Sequence, residues 1–369
     1  MHFFQMGNAP ASFFVNFAIR TNFTTKMPSF YYISRNYKHP GCGGVIARRD
    51  IETVLDRMGF ENIGLKPTFS RSGLTHVVRN HIGAMKAARR IKSGDVVVLQ
   101  YPMSAYFSRI CRTARTRGAR VVALIHDLSS FRNKSLTPAQ EMALLNQADV
   151  LLTHNHRMRE WLAGHGCTVK MIDYEIMDYL GGESSAPHHP EAGHYSIYFV
   201  GNLSRAQNAF LYELAVMMPE TEFYFYGPEA ETAGVPANVR MMGVVNDTEI
   251  IRRHHGDFGI SWYGSSLSRA VGRIGEYMEY NNPHKVGLYL RGNSPVIVWK
   301  NAGRAQFIER EGIGVAVGAL TELPALLKKL KPEEYAAMLA NVERVNRRLA
   351  EGYYLHKAMR EAFDYLGIK

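Results

Sequence analysis

Three short apolar runs decide the fold: DVVVLQ at Asp95–Gln100, RVVALIH at Arg120–His126 and DVLLTH at Asp149–His154. Each is apolar on successive residues, without alternation, and each closes on a polar residue. Such a strand has both faces covered, the condition of a parallel sheet held between helices. Working outward, Phe30–Ser34 and the weaker Val169–Asp173 read as further strands, with helices at Gly44–Met58, Gly73–Ile91 and Pro138–Gln147. The alternation predicts a doubly wound α/β domain over residues 27–180. At Gly181–His194, GGESSAPHHPEAGH breaks the pattern and reads as a linker. A second α/β series then runs through Tyr195–Val200, Glu222–Tyr226, Asp257–Trp262, Ser294–Trp299 and Ile313–Val317, predicting a domain over 195–345. Pro332–Leu366 reads as helical throughout, and residues 346–369 are expected to pack back on the first domain. Two such domains face each other across a cleft at the carboxyl ends of their strands, where open α/β sheets bind ligands.

Composition agrees with this plan. The chain has 369 residues, 46% hydrophobic and 21% charged, which suits two cores rather than one. No apolar stretch is long enough to span a membrane, and a soluble, globular protein is expected. Cys42, Cys111 and Cys167 are isolated and odd in number, so neither a disulfide framework nor a zinc ribbon is expected and a cytoplasmic setting is. The 15 histidines show no metal-ligand spacing, so no metal is expected. Residues 1–26 read as an appended extension that the fold does not require.

The net charge of +11 includes two clusters, Arg109–Arg120 and Lys86–Lys92. They suit solvated helix faces or an anionic membrane surface. Nucleic acid is not expected, since no aromatic-and-basic recognition motif accompanies the charge.

The stretch with most chemistry is GEYMEYNNPHKVGLYL, Gly275–Leu290. Asn281 or Asn282 would cap a helix with Pro283 in its first turn, leaving free N–H groups beside His284 and Lys285. That arrangement suits a phosphate or diphosphate; a well-capped structural helix is the alternative. Other strand ends of the second domain carry FVGNLSR, with Gly201, Asn202 and Arg205, then YGP, with Tyr226 and Gly227, and WYG, with Tyr263. In the first domain, GCGGVIARRD places Gly43 and Gly44 where backbone can approach a ligand. His126 and Asp127 sit at a strand end, where either could serve as general base or merely fix the loop. His154–Asn155 at the next strand end invites the same two readings, whereas Asp178–Tyr179 before the linker reads as structural. A dinucleotide fold lacks its glycine fingerprint and acidic partner here.

IHDLSSFR, THNHRM, MDYL, FVGNLSR, YGP, GEYMEYNNPHKVGLYL and SPVIVWKNAG together resemble a group of bacterial GT-B glycosyltransferases. The group includes β-1,6-galactofuranosyltransferases and the glucosyltransferase that extends glycans on serine-rich adhesins, and the resemblance covers about Phe30 to Tyr354. It implies a hexosyl transfer from a UDP-sugar, with no further cofactor and no bound metal, to a lipid- or protein-linked glycan acceptor; inversion is implied too. It would put Asn282, His284 and Lys285 on diphosphate or ribose, Tyr226 and Gly227 near the base, and Gly201, Asn202 and Arg205 beside sugar and phosphate. Gly43 and Gly44 would approach from the opposite domain. The pattern departs from the group at Tyr263, where Asp is common, and at Arg205, where Lys is usual. The first departure keeps a catalytically silent GT-B module in view, binding a partner glycosyltransferase or a glycan. A homo-oligomer is left open.

Overall fold

A computed structural model describes residues 28–37, 43–69, 72–103, 106–191, 193–230 and 233–368; the extension read at residues 1–26 lies outside them. The strands are β1 (Phe30–Tyr32), β2 (Asn36–Tyr37), β3 (Glu61–Asn62), β4 (Thr68–Phe69), β5 (Val96–Tyr101), β6 (Arg120–Ile125), β7 (Val150–Thr153), β8 (Lys170–Asp173), β9 (Ile197–Val200), β10 (Phe223–Tyr226), β11 (Val239–Gly243), β12 (Phe258–Ser261), β13 (Val296–Trp299) and β14 (Gly314–Val317). They form two six-stranded sheets, ordered β3-β1-β5-β6-β7-β8 and β11-β10-β9-β12-β13-β14, and a two-stranded β2-β4 pair. Every pairing is parallel. The direction of winding reverses between β1 and β5 in one sheet and between β9 and β12 in the other, so each has a switch point where strand ends leave a crevice.

The apolar runs behave as continuous burial requires. In β5, Val96 and Val98 enter one core while Val97 and Leu99 enter another on the opposite face. The second sheet divides likewise, Val296 and Val298 on one side and Ile297 and Trp299 on the other. Each of these buried side chains contributes about 1.5–3 kcal/mol over its exposed state. One of the cores is common to both domains and includes Val54, Tyr179, Val286, Leu288 and Leu355.

Short or half-exposed edges escaped the sequence reading: β2, β3 and β4 have two residues each, and β11 (VRMMG) is mostly half-exposed. The single helix read at Pro332–Leu366 is two, Pro332–Glu351 and Tyr353–Leu366, turned at Gly352 with φ 81°. A Cβ there would stand 2.6 Å from Val54 Cγ2, so both the turn and the close packing call for glycine. The last helix lies on the first domain, with Phe363 against Phe30 and Phe60. Its first turn is held by buried Asp178, which accepts from the N–H groups of Tyr354 (3.1 Å) and Leu355 (2.7 Å).

Candidate active site

The segment Asn281–Lys285 divides its residues between two tasks. Asn282 is buried and its amide is fully engaged by the first domain. Its Nδ2 donates to the carbonyls of His154 (2.8 Å) and Glu175 (2.6 Å), and its Oδ1 accepts from Asn155 Nδ2 (3.0 Å). Its backbone N–H donates to His154 Nδ1 at 2.8 Å. Asn155 in turn donates to Tyr280 O and caps the helix His156–Gly164 through Met158 N–H. Nearby, Leu128 N–H donates to Tyr277 OH at 2.7 Å, and Phe131 stacks on the Tyr277 ring. These bonds clasp the two domains together.

The expected cap at Asn281 or Asn282 is therefore corrected. The helix begins at Lys285, with His284 in the cap position and no side chain capping it. Asn282 cannot cap, because the other domain has taken its amide. Pro283 lies before the helix.

The neighbouring residues face a cavity of about 240 Å³ between the domains. Asn281, Asn282, Pro283, His284, Lys285 and Tyr263 line it from the second domain, and Gly44, Arg48, His126, Asp127 and Arg132 from the first. Lys285 Nζ lies 5.0 Å from the centre of the Phe199 ring and 5.9 Å from that of Tyr263. Among the described residues, no hydrogen bond or ion pair engages that ammonium. It rests on Gly201, where a Cβ would come within 2.2 Å of it. Gly227 fits as tightly: its φ is 153°, and a Cβ would meet Gly201 O at 1.6 Å. A side chain at Gly227 would collide with the turn itself, and one at Gly201 would displace the ammonium. Among the described residues, Asn281 Oδ1 and His284 Nε2 find no hydrogen-bond partner although both are buried. The His284 ring stacks on Tyr179 at 4.4 Å, and burial followed by the Arg304 charge pulls its pKa down to about 3.

Across the cavity, His126 Nε2 meets Gln100 Oε1 at 2.7 Å, which puts the ring proton on Nε2. Burial, then Arg48 and Arg35, hold this imidazole well below its ordinary pKa, so it stays neutral. Asp127 has no hydrogen bond or ion pair among the described residues. Burial raises its carboxyl pKa, opposed by Arg132 and Arg48. Arg48 donates to Gln100 O at 3.2 Å and also lines a second cavity, of about 550 Å³, with Arg35, Ser129 and Asn133.

Other expected residues are placed differently. The Tyr226 ring is 3% exposed and packs beside Tyr198, its hydroxyl accepting from His255 N–H, so it cannot reach a base in the cleft. The strand's alternation turns it into the shared core. Arg205 lies over the Tyr212 ring and donates to Gly234 O. Asn202 Oδ1 accepts from Ser204 N–H and shapes the turn. Gly43 opens the helix Gly43–Arg57, and a Cβ on Gly44 would meet nothing within 4 Å. Tyr263 and Ile274 form a wall shared with another cavity, of about 430 Å³, reaching Asn208 and Arg273.

The sequence reading missed Arg304. It is 3% exposed, its Nε and Nη1 have no partner among the described residues, and burial lowers its pKa to about 9. Only the string WKNAGR after a strand signalled it, and an arginine there reads as surface. Among the described residues, no group of three or more His, Cys, Asp or Glu could hold a metal ion, and no helix is long and apolar enough to cross a membrane.

Two parallel α/β domains closing on a polar cleft at their strand ends define a GT-B glycosyltransferase fold. The structure superposes on the apo lipopolysaccharide outer core galactosyltransferase WaaB with a TM-score of 0.57, covering 90% of this chain and 99% of that one at 12% identity. Residues 30–176 match the N-terminal domain and residues 197–362 the C-terminal domain of the glucosyltransferase 3-like family, and the chain belongs to that family. It is 26% identical to the β-1,6-galactofuranosyltransferase WbbI of Escherichia coli (strain K12) over 88% of this chain and 95% of that protein. It is 25% identical to glucosyltransferase 3 of Streptococcus gordonii over 86% of this chain and 93% of that protein.

Proposed function

We propose that the protein transfers a hexosyl group, galactofuranosyl or glucosyl, from a UDP-sugar to a hydroxyl of a lipid- or protein-linked glycan acceptor, with inversion and without a metal ion. A lipid-linked acceptor would be met at an anionic membrane surface. One observation carries the reading: the Lys285 ammonium stands on the glycine turn Gly201–Gly227, across one cavity from the Asp127 carboxylate, and among the described residues neither group has a hydrogen bond or ion pair. The donor's diphosphate supplies the anion Lys285 lacks. As the bond from the anomeric carbon to the diphosphate oxygen breaks, charge grows on that oxygen, and a fixed cation favours the transition state over the ground state. The acceptor hydroxyl attacks the anomeric carbon from the opposite side. Its proton passes to Asp127, whose raised pKa makes it a better base than an ordinary carboxylate. His126 is the poorer base, because it is held neutral with a depressed pKa; with its Nε2 proton bound to Gln100, it presents Nδ1 as an acceptor to orient the sugar.

Ligand-induced thermal stabilisation tests the assignment. A ligand that binds the folded state raises the melting temperature. UDP should stabilise the protein, and Lys285→Ala should abolish that shift while leaving the unliganded melting temperature nearly unchanged. An undiminished UDP shift in the variant would falsify the donor assignment.

A further inference from the structure

We infer that the helix Gly73–Arg90, with its neighbour Tyr106–Arg117, is a docking surface for an anionic lipid bilayer beside the mouth of the cleft. This deepens the proposed function on the acceptor side. The first observation is an apolar stripe that the described residues leave uncovered. Leu74, Val77, Val78 and Ile82 are 75%, 57%, 45% and 50% exposed. Their spacing puts them on one face of the helix, while the small residues Gly83, Ala84 and Ala87 pack the other face into the domain. A helix whose large apolar side chains face outward and whose smallest face inward is turned opposite to a core helix.

The second observation is where the protein keeps its charge. Residues 62–126 hold twelve of the 44 Lys and Arg but only one of the 33 Asp and Glu, Asp95. That segment alone carries the whole net charge of +11; the rest of the chain is balanced at 32 of each sign. Neither helix contains an acidic residue. Within the segment, only Arg90 and Arg120 form ion pairs among the described residues, with Glu61 and Asp149. Others hold neutral partners: Arg79 and Lys86 donate to carbonyls, and Arg109 to Met85 Sδ. Their charge stays uncompensated.

The pairing of features selects the occupant. A bilayer takes apolar side chains into its acyl boundary and cations among its phosphates. A nucleic acid gains nothing from exposed Leu, Val and Ile. A second copy docked through the same face would set like charges against each other. Topology then sets the orientation. A helix leading into a parallel strand runs against it, so the first turns of Gly73–Arg90 lie level with the carboxyl end of β5, on the cleft side. Tyr106, just beyond that strand end, donates its hydroxyl to Val77 O at 3.3 Å. A bilayer on this stripe lies beside the first domain's edge of the cleft.

The test is co-sedimentation of the full chain with vesicles of phosphatidylcholine, with and without phosphatidylglycerol. Binding should require phosphatidylglycerol and weaken as salt rises. The triple variant V77S/V78S/I82S should bind on the order of tenfold more weakly. Arg109→Gln with Arg112→Gln should weaken it roughly fivefold per charge removed. Both variants touch exposed positions, so their unliganded melting temperatures and UDP shifts should match the parent; loss of the UDP response in the parent itself would indict the donor site instead. The inference is overturned if the chain ignores phosphatidylglycerol, or if the serine variant binds undiminished, which would mean bulk charge attraction alone. Parent chain that self-associates while the serine variant is monomeric, without vesicle binding, would assign the stripe to a second copy and overturn it equally.

Discussion

Asn282 and Lys285 stand three residues apart, yet they belong to regions built on opposite principles. In the clasp around Asn282, His154 and Asn155, both asparagine side chains have their amide oxygen and nitrogen bonded to the protein, and among the described residues one ring nitrogen, His154 Nε2, is left without a partner. In the cleft, Asn281 Oδ1 and His284 Nε2 are buried without a partner, and half-buried Lys285 and Asp127 have no hydrogen bond or ion pair among the described residues. A buried polar group left unbonded costs about 1–3 kcal/mol. A region that carries several such groups is therefore poorly explained by stability and well explained by a ligand that completes them. The difference separates structural from chemical residues within one short segment, and it can be attacked from both sides.

The largest effect should come from the cleft. Asp127→Asn keeps the shape and removes the base, so turnover should fall by about 10²–10⁴. The UDP-induced thermal shift and the unliganded melting temperature should both stay close to the parent. Steady-state kinetics beside a melting curve checks this; a variant that melts early with turnover near the parent's would place Asp127 in the clasp class instead.

Asn282→Ala attacks the other side. It removes the donors to the His154 and Glu175 carbonyls and the acceptor for Asn155. Groups left buried and unbonded should each cost about 1–3 kcal/mol. Denaturant unfolding should show a clearly lower midpoint, and UDP should still raise the melting temperature of what remains folded. If the variant unfolds like the parent but no longer responds to UDP, the amide contacts the donor and the clasp description is wrong.

How far these roles could be read in advance follows from the same contrast. The sheets were legible because continuous apolarity has one physical cause, burial on both faces, and β5, β6 and β7 appear within a residue of their expected bounds. The two-residue strands and the half-exposed β11 left no comparable signal. Lys285, His126 and Asp127 were found at strand ends or a helix start, and they do converge on one cavity. Tyr226 was misplaced because a strand's last aromatic points to either face, and only the packing of Tyr198 beside it decides which. Asn282 was misread because an asparagine before Pro looks like a cap until the opposite domain is seen to claim it. Arg304 was invisible because burial of an arginine without a carboxylate is a tertiary fact.

The smallest effect sharpens the clasp by pH. His154 is 2% exposed and accepts from Asn282 N–H through Nδ1, which requires the neutral ring. Burial, then the Arg304 charge, brings its pKa down to about 3, against about 6.5 in the unfolded chain. The unfolded state therefore binds the extra proton between those values. The stability that neutral His154 contributes is complete above about pH 6.5 and is lost as pH falls toward 3, by up to about 1.4 kcal/mol per pH unit. Asp178 works in the opposite sense, since burial raises its carboxyl to about 7 and so favours the folded state on the acid side. The parent's total pH profile mixes both, so the difference between parent and His154→Gln is the useful quantity. Glutamine can still accept from Asn282 N–H but does not titrate. Unfolding free energies measured from pH 7 down to 4 should converge toward acid, the parent losing its advantage and the variant keeping what it had. Parallel profiles would mean that His154 takes up its proton in the fold as readily as in the unfolded chain, and the bond to Asn282 would have to run through another acceptor.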